Sequence, residues 1–77
     1  MATGFVLIGV DPGREREVLR EVIRIEEVVD VHLLFGEYDI IARIEAPDYD
    51  AIGEVVVDKI RNLPGVQTTK TLAKISL

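Results

Sequence analysis

Apolar and polar positions alternate along this chain with a period that changes from two to nearly four and back. Gly4 to Val10 (GFVLIGV) is apolar on both alternating faces, Phe5 and Leu7 on one and Val6, Ile8 and Val10 on the other. A strand of that kind is buried on both sides, which places it centrally in its sheet. Asp11-Pro12-Gly13 ends it, with Asp11 read as a helix N-cap and Pro12 at the first helical position, where its missing N–H costs nothing. Arg14 to Ile25 then gathers Val18, Leu19, Val22 and Ile23 on one helical face, against a solvated face of Arg14, Glu17, Arg20, Glu21 and Arg24.

The period returns to two over Val28 to Phe35, where Val29, Val31, Leu33 and Phe35 alternate with Asp30, His32 and Leu34. This predicts a half-buried strand at a sheet edge. Gly36-Glu37-Tyr38-Asp39 reads as a hairpin turn into a third strand, Ile40 to Glu45. Glycine reaches positive φ cheaply and aspartate bonds readily to nearby backbone. Ala46-Pro47-Asp48 is the next break, with Asp48 as N-cap of a second helix, Tyr49 to Asn62, whose core face is Ile52, Val55, Val56 and Ile60. Gly53 inside it is a candidate point of close helix–sheet approach. Leu63-Pro64-Gly65 stops the helix, and in the last strand, Val66 to Leu77, Thr69, Thr71, Ala73 and Ile75 alternate with Thr68, Lys70, Leu72 and Lys74. All three prolines fall in the breaks.

The order β-α-β-β-α-β predicts an α+β, ferredoxin-like sandwich: a four-stranded antiparallel sheet with two helices on one face, as a single domain over residues 1–77. Two helices cover only one face of such a sheet. The first strand is apolar on both faces and the third nearly so, with Ile41 opposite Ile40, Ala42 and Ile44. The uncovered face therefore needs a partner, and the simplest is a second copy, giving a twofold dimer through the sheets.

Size and charge narrow the function. A domain of 77 residues buries only about 60% of the surface of its unfolded chain, so self-association is a common remedy for marginal stability. There is no cysteine, so neither a disulfide nor a thiolate metal site is available; this fits a reducing compartment. No apolar run approaches the ~18 to 20 residues that span a membrane, and the N-terminus has no basic region of a signal peptide. A cytoplasmic protein is expected. Nine basic residues stand against fourteen acidic ones, a net charge of −5, which argues against direct nucleic-acid binding.

Catalytic constellations are missing from the sequence. The only histidine is His32 and the only serine is Ser76, so there is no nucleophile–base pair, and His32 with Asp30 does not make a metal site. No phosphate-binding glycine motif occurs. The chain is read as non-catalytic, without metal or cofactor. Two features remain, the Gly36–Asp39 turn and the threonines of Gly65-Val66-Gln67-Thr68-Thr69-Lys70-Thr71. Turn and strand chemistry explains both without any ligand. The functional alternative is a site for a zwitterion, in which Asp39 pairs with an ammonium group. Backbone N–H groups near Gly36, with the Thr69 or Thr71 hydroxyl, would then take the carboxylate.

Taken together, Pro12-Gly13, Gly36-Glu37-Tyr38-Asp39, Leu63-Pro64-Gly65-Val66 and Thr69-Lys70-Thr71 resemble the RAM (regulation of amino acid metabolism) domain, the effector-binding half of the Lrp/AsnC transcription regulators, over essentially the whole chain. The resemblance implies a regulatory unit that dimerises by facing sheets and joins into rings of dimers, with amino-acid effectors bound at contacts between dimers. Carried over residue by residue, it implies ligand contacts at Gly36, Tyr38 and Asp39 in the turn and at Thr69 and Thr71 in the last strand. Phe35 stands where the family often has threonine. Full-length members place a helix-turn-helix domain before this unit. Strand one begins here at about Gly4, so a stand-alone RAM protein without that domain is expected. The competing expectation is a purely structural module that co-assembles with full-length Lrp/AsnC regulators and has no ligand of its own.

Overall fold

The computed structural model describes residues 1–77. Strand β1 (Ala2–Val10) leads into helix α1 (Glu15–Ile23), then strands β2 (Val28–Leu33) and β3 (Ile40–Ala46). Helix α2 (Tyr49–Val55) continues as a π-helical turn over Val56–Ile60, and β4 (Val66–Ala73) closes the fold. The sheet is antiparallel throughout in the order β2-β3-β1-β4. The doubly apolar β1 and β3 are thus its centre, and β2 is an edge, as the pattern of the chain requires.

The helices pack on one face. Val6, Ile8 and Val10 of β1 and Ile40, Ala42 and Ile44 of β3 are buried there against Val18 and Val22 of α1 and Ile52, Val55, Val56 and Ile60 of the second helix. The core holds only Ala, Val and Ile, each large member contributing about 1.5–3 kcal/mol by its removal from water. Leu19 is half-buried and Ile23 exposed, so α1 commits a narrower face than its apolar positions suggest. On the opposite face lies a strip of Phe5, Leu7, Ile41 and Leu72. Phe5 sits between Arg43 and Leu72, and Leu7 between Ile41 and Lys70. The strip is bounded by the Arg43–Glu45 ion pair at 2.8 Å and by the His32–Asp30 side-chain contact at 3.3 Å. It is less apolar than β1 alone implied.

Local chemistry departs from the sequence pattern at identifiable points. Asp11 does not cap α1: its carbonyl accepts the Arg14 N–H at 3.1 Å, closing a Pro12-Gly13 turn with Gly13 at φ 89°, and Arg14 takes the cap position with no side-chain bond. Asp48 does cap α2, accepting the Ala51 N–H at 2.8 Å. A bulge between Val28 and Asp30 breaks the alternation of β2, so that Val29 rather than Val28 is left exposed. Strand β2 stops at Leu33 and β4 at Ala73, short of Phe35 and Leu77. Close helix–sheet approach occurs at Gly4, where a Cβ would stand 2.9 Å from Ile52 Cγ2, and not at Gly53, which has nothing within 4 Å.

Gly65 carries two constraints at once. Its φ is 95°, a conformation that L side chains rarely adopt, and a Cβ there would lie 2.9 Å from Val18 Cγ2. Its carbonyl also accepts the Asp11 N–H at 2.8 Å, tying the start of β4 to the end of β1. Gly65→Ala is expected to cost about 1–3 kcal/mol through combined strain and overpacking, whereas Gly53→Ala should stabilise by about 0.5–1 kcal/mol from helix propensity. Urea unfolding midpoints of the two variants will move in opposite directions if both assignments are right.

Candidate functional site

The turn of interest is set by the ends of β2 and β3. Leu34 donates its N–H to the Asp39 carbonyl at 2.8 Å, enclosing Phe35-Gly36-Glu37-Tyr38. Gly36 has φ 149°, and Phe35 beside it projects wholly into solvent. Tyr38 and Asp39 are half-buried. Asp39 then does two things. Its backbone N–H extends the ladder to β1 by donating to the Ile8 carbonyl at 2.9 Å, and its carboxylate accepts the Val10 N–H at 2.8 Å. The side chain thereby replaces the backbone acceptor that a longer β3 would have offered.

Across β1 the partner strand is β4, with Thr69 opposite Ile8 and Thr71 opposite Val6. Both threonines follow the helix-covered side of the sheet, because Ile8 and Val6 do. Thr71 is exposed and Thr69 half-buried, and the Thr69 hydroxyl oxygen accepts from Arg61 Nε at 3.0 Å. Thr69 lines an open groove of about 370 Å³ together with Arg61, Val66, Gln67 and Thr68. Gly36, Tyr38, Asp39 and Thr71 line none of the four cavities.

Asp39 and Thr69 therefore flank Ile8 from the β3 and β4 sides, two strand spacings or about 10 Å apart. The predicted residues share one end of the sheet, but β1 separates them, and they do not form a single pocket within one chain. His32 and Asp30 stand elsewhere, on the open face beside a cavity of only about 40 Å³, and no three His, Cys, Asp or Glu side chains come together. The carboxyls held below their usual range are Glu17, by hydrogen bonding to Arg14, and Glu27, by Lys59 and its own backbone; they lie on α1 and just before β2.

The model of the Lrp/AsnC ligand binding domain family matches residues 3–76. The chain belongs to that family. An HTH-type transcriptional regulator of Pyrococcus horikoshii is 40% identical over an alignment of 73 residues that covers 91% of this chain and 49% of the relative; the chain thus spans about half the length of the curated relatives it matches. The solved structure of TTHA0845 from Thermus thermophilus is 30% identical with a TM-score of 0.94, covering 100% of this chain and 96% of that one. The transcriptional regulator NMB0573 of Neisseria meningitidis, solved as an L-Met complex, has a TM-score of 0.86 over 97% of this chain and 50% of its own, at 22% identity, which establishes likeness of fold.

Within this Lrp/AsnC ligand-binding domain, the sequence pattern gives no account of Arg61, which the structure places against Thr69. One signal would have found it: residues 61–77 contain Arg61, Lys70 and Lys74 and no acidic side chain, in a chain with fourteen. The bond to Val10 also gives Asp39 a structural role separable from any ligand role. Asp39→Ala, which leaves the partly buried Val10 N–H without its acceptor, should lose about 1–3 kcal/mol. Asp39→Asn keeps an acceptor oxygen and should lose clearly less. Chemical unfolding of the two variants checks the difference.

Proposed function

We propose that this domain binds a small amino-acid effector at a contact between subunits and acts, without catalysis, as a regulatory and oligomerisation module of the Lrp/AsnC type in the cytoplasm. The observation that carries the reading is the match of the ligand-binding family model across residues 3–76. The site residues proposed are Gly36, Tyr38 and Asp39 in the turn, with Thr69 and Thr71 on β4. In this reading Asp39 pairs with the effector's ammonium group while still accepting from Val10, since a carboxylate has lone pairs for several donors. The L-Met bound by the Neisseria regulator gives the same class of ligand on the same fold.

The separation of Asp39 from Thr69 favours a site completed between chains. An α-amino acid carries its ammonium and carboxylate groups on one carbon and is poorly matched to two groups held apart by a strand. Self-association follows from the strip of Phe5, Leu7, Ile41 and Leu72, which facing sheets would bury; a ring of such dimers would bring turns and β4 edges of different copies together. A second reading, co-assembly with full-length regulators and no effector, is favoured by one observation. Leu33, Leu34 and Phe35 form a run of exposed apolar residues along the β2 edge and hairpin tip, a surface suited to another polypeptide.

Calorimetric titration of the twenty amino acids into the wild type and Asp39→Asn separates the two readings. The effector reading expects at least one amino acid to bind, with affinity about tenfold lower or worse in Asp39→Asn, as loss of a charge-assisted contact predicts. Binding of none of the twenty leaves only the interaction module standing, whereas equal affinity in the variant removes Asp39 from the site.

A further inference from the structure

We infer that Arg61, steered by Thr69, is the residue that captures the effector's carboxylate. The inference rests on the amino-acid-binding reading above and adds to it the anion-recognising group. The sequence reading gave the carboxylate to backbone N–H groups near Gly36 and to threonine hydroxyls. The structure offers a cation instead.

Arg61 reaches its place through a specific backbone path. The helix that begins at Tyr49 leaves α geometry in the β-branched run Val55-Val56-Val57 and finishes as a π turn over Val56–Ile60, with the Arg61 N–H donating to the Val56 carbonyl at 2.9 Å. Such turns are rare and are found disproportionately at functional sites. Leu63-Pro64-Gly65 then reverses the chain, with the Val66 N–H on the Leu63 carbonyl at 3.2 Å, so that β4 passes beneath the arginine. Arg61 Nε donates to Thr69 Oγ1 at 3.0 Å. This single bond fixes the plane of the guanidinium and leaves both terminal nitrogens free. It also occupies a lone pair of the Thr69 oxygen, so the hydroxyl hydrogen is free to donate outward. Three or more donors thus stand together at the edge of the groove formed by Arg61, Val66, Gln67, Thr68 and Thr69.

The charge pattern points the same way. Arg14, Arg24, Arg43 and Lys59 each hold a carboxylate within the chain, whereas Arg61 holds none. Arg16 and Arg20 are also unpaired, but they lie on the exposed face of α1 and line no cavity. No acidic side chain lines the Arg61 groove, and none occurs from residue 61 to the end of the sequence. An unpaired, oriented guanidinium in an acid-free groove is a receptor for a planar anion, and its fork matches a carboxylate with two parallel hydrogen bonds. Since β1 separates Arg61 and Thr69 from the same chain's Asp39, the ammonium of a ligand held here would be met by the turn of a second copy. The hairpin end, with Glu37 and Asp39, carries the opposite charge to the β4 edge with Arg61, Lys70 and Lys74, which suits that apposition.

The test is calorimetry on the full chain with each of the twenty L-amino acids and with the α-carboxamide of each one that binds, comparing wild type, Arg61→Gln, Arg61→Lys and Thr69→Val. Thermal melts by circular dichroism serve as the folding control, and the exposed Arg61 should leave them unchanged. The expected result is an affinity lower by about tenfold to a hundredfold in Arg61→Gln, the usual weight of a bidentate charge-assisted contact. Arg61→Lys should recover part of it, Thr69→Val should lose less than Arg61→Gln, and the carboxamides should bind weakly to the wild type and equally weakly to Arg61→Gln. Wild-type affinity in a folded Arg61→Gln, or carboxamides that bind as tightly as the acids, would overturn the role of Arg61 while leaving amino-acid binding intact. A wild type that binds none of the twenty removes the effector reading and this inference together.

Discussion

The hydrogen bond from the Val10 N–H to the Asp39 carboxylate, 2.8 Å long, joins the hairpin to the far end of the central strand at the point where the ladder to β4 changes register. Without it, the end of β1 would have an unfilled donor on its β3 side, since β3 proper begins only at Ile40. The turn that contains Gly36 and Tyr38 is held against the sheet by that contact together with the Leu34–Asp39 backbone closure. A residue with this job is already oriented and partly desolvated, which makes its remaining lone pairs well suited to an ammonium group. Structural and functional explanations of Asp39 are therefore compatible, and the amide variant separates them because it keeps the acceptor and removes the charge.

A second constraint is the thinness of the fold. With fourteen core residues drawn only from Ala, Val and Ile, the helix layer stabilises one face of the sheet and leaves Phe5, Leu7, Ile41 and Leu72 on the other. The fold thus presents an apolar strip on one side and two chemically distinct edges, acidic at the β2–β3 hairpin and basic along β4. Those edges carry the two halves of the proposed site. Assembly and ligand binding are then coupled by geometry: an effector that bridges an Asp39 and an Arg61 of different copies stabilises the contact between them, by the linkage of binding to association.

Most of this fold was legible in the sequence because period and punctuation agreed. The doubly apolar pattern of β1 fixed its central place, the three prolines marked real breaks, and the core positions of the second helix, Ile52, Val55, Val56 and Ile60, are all buried. What failed was local. Asp11 resembled an N-cap, but Pro12-Gly13 used its carbonyl for a turn first. A bulge at Val28–Asp30 and the π turn at Val56–Ile60 each insert one residue into a regular pattern, and neither needs a glycine or proline that would announce it. The candidate site residues came from turn chemistry and family resemblance; Arg61 did not, since its contact with Thr69, eight residues further on in β4, exists only in the folded chain. The distance between Asp39 and Thr69 was likewise invisible until strand order put β1 between them.

The central claim is that the effector site is divided between two chains, Asp39 from one and Arg61 with Thr69 from another. Mixing Asp39→Asn with Arg61→Gln after co-refolding tests it most directly, because every chain then carries one defect. If the site is shared between copies, random assembly restores about a quarter of the sites with full wild-type affinity, seen by calorimetry as a stoichiometry near that fraction. If the mixture binds no better than the separate variants, both groups serve the same chain and the divided site is wrong.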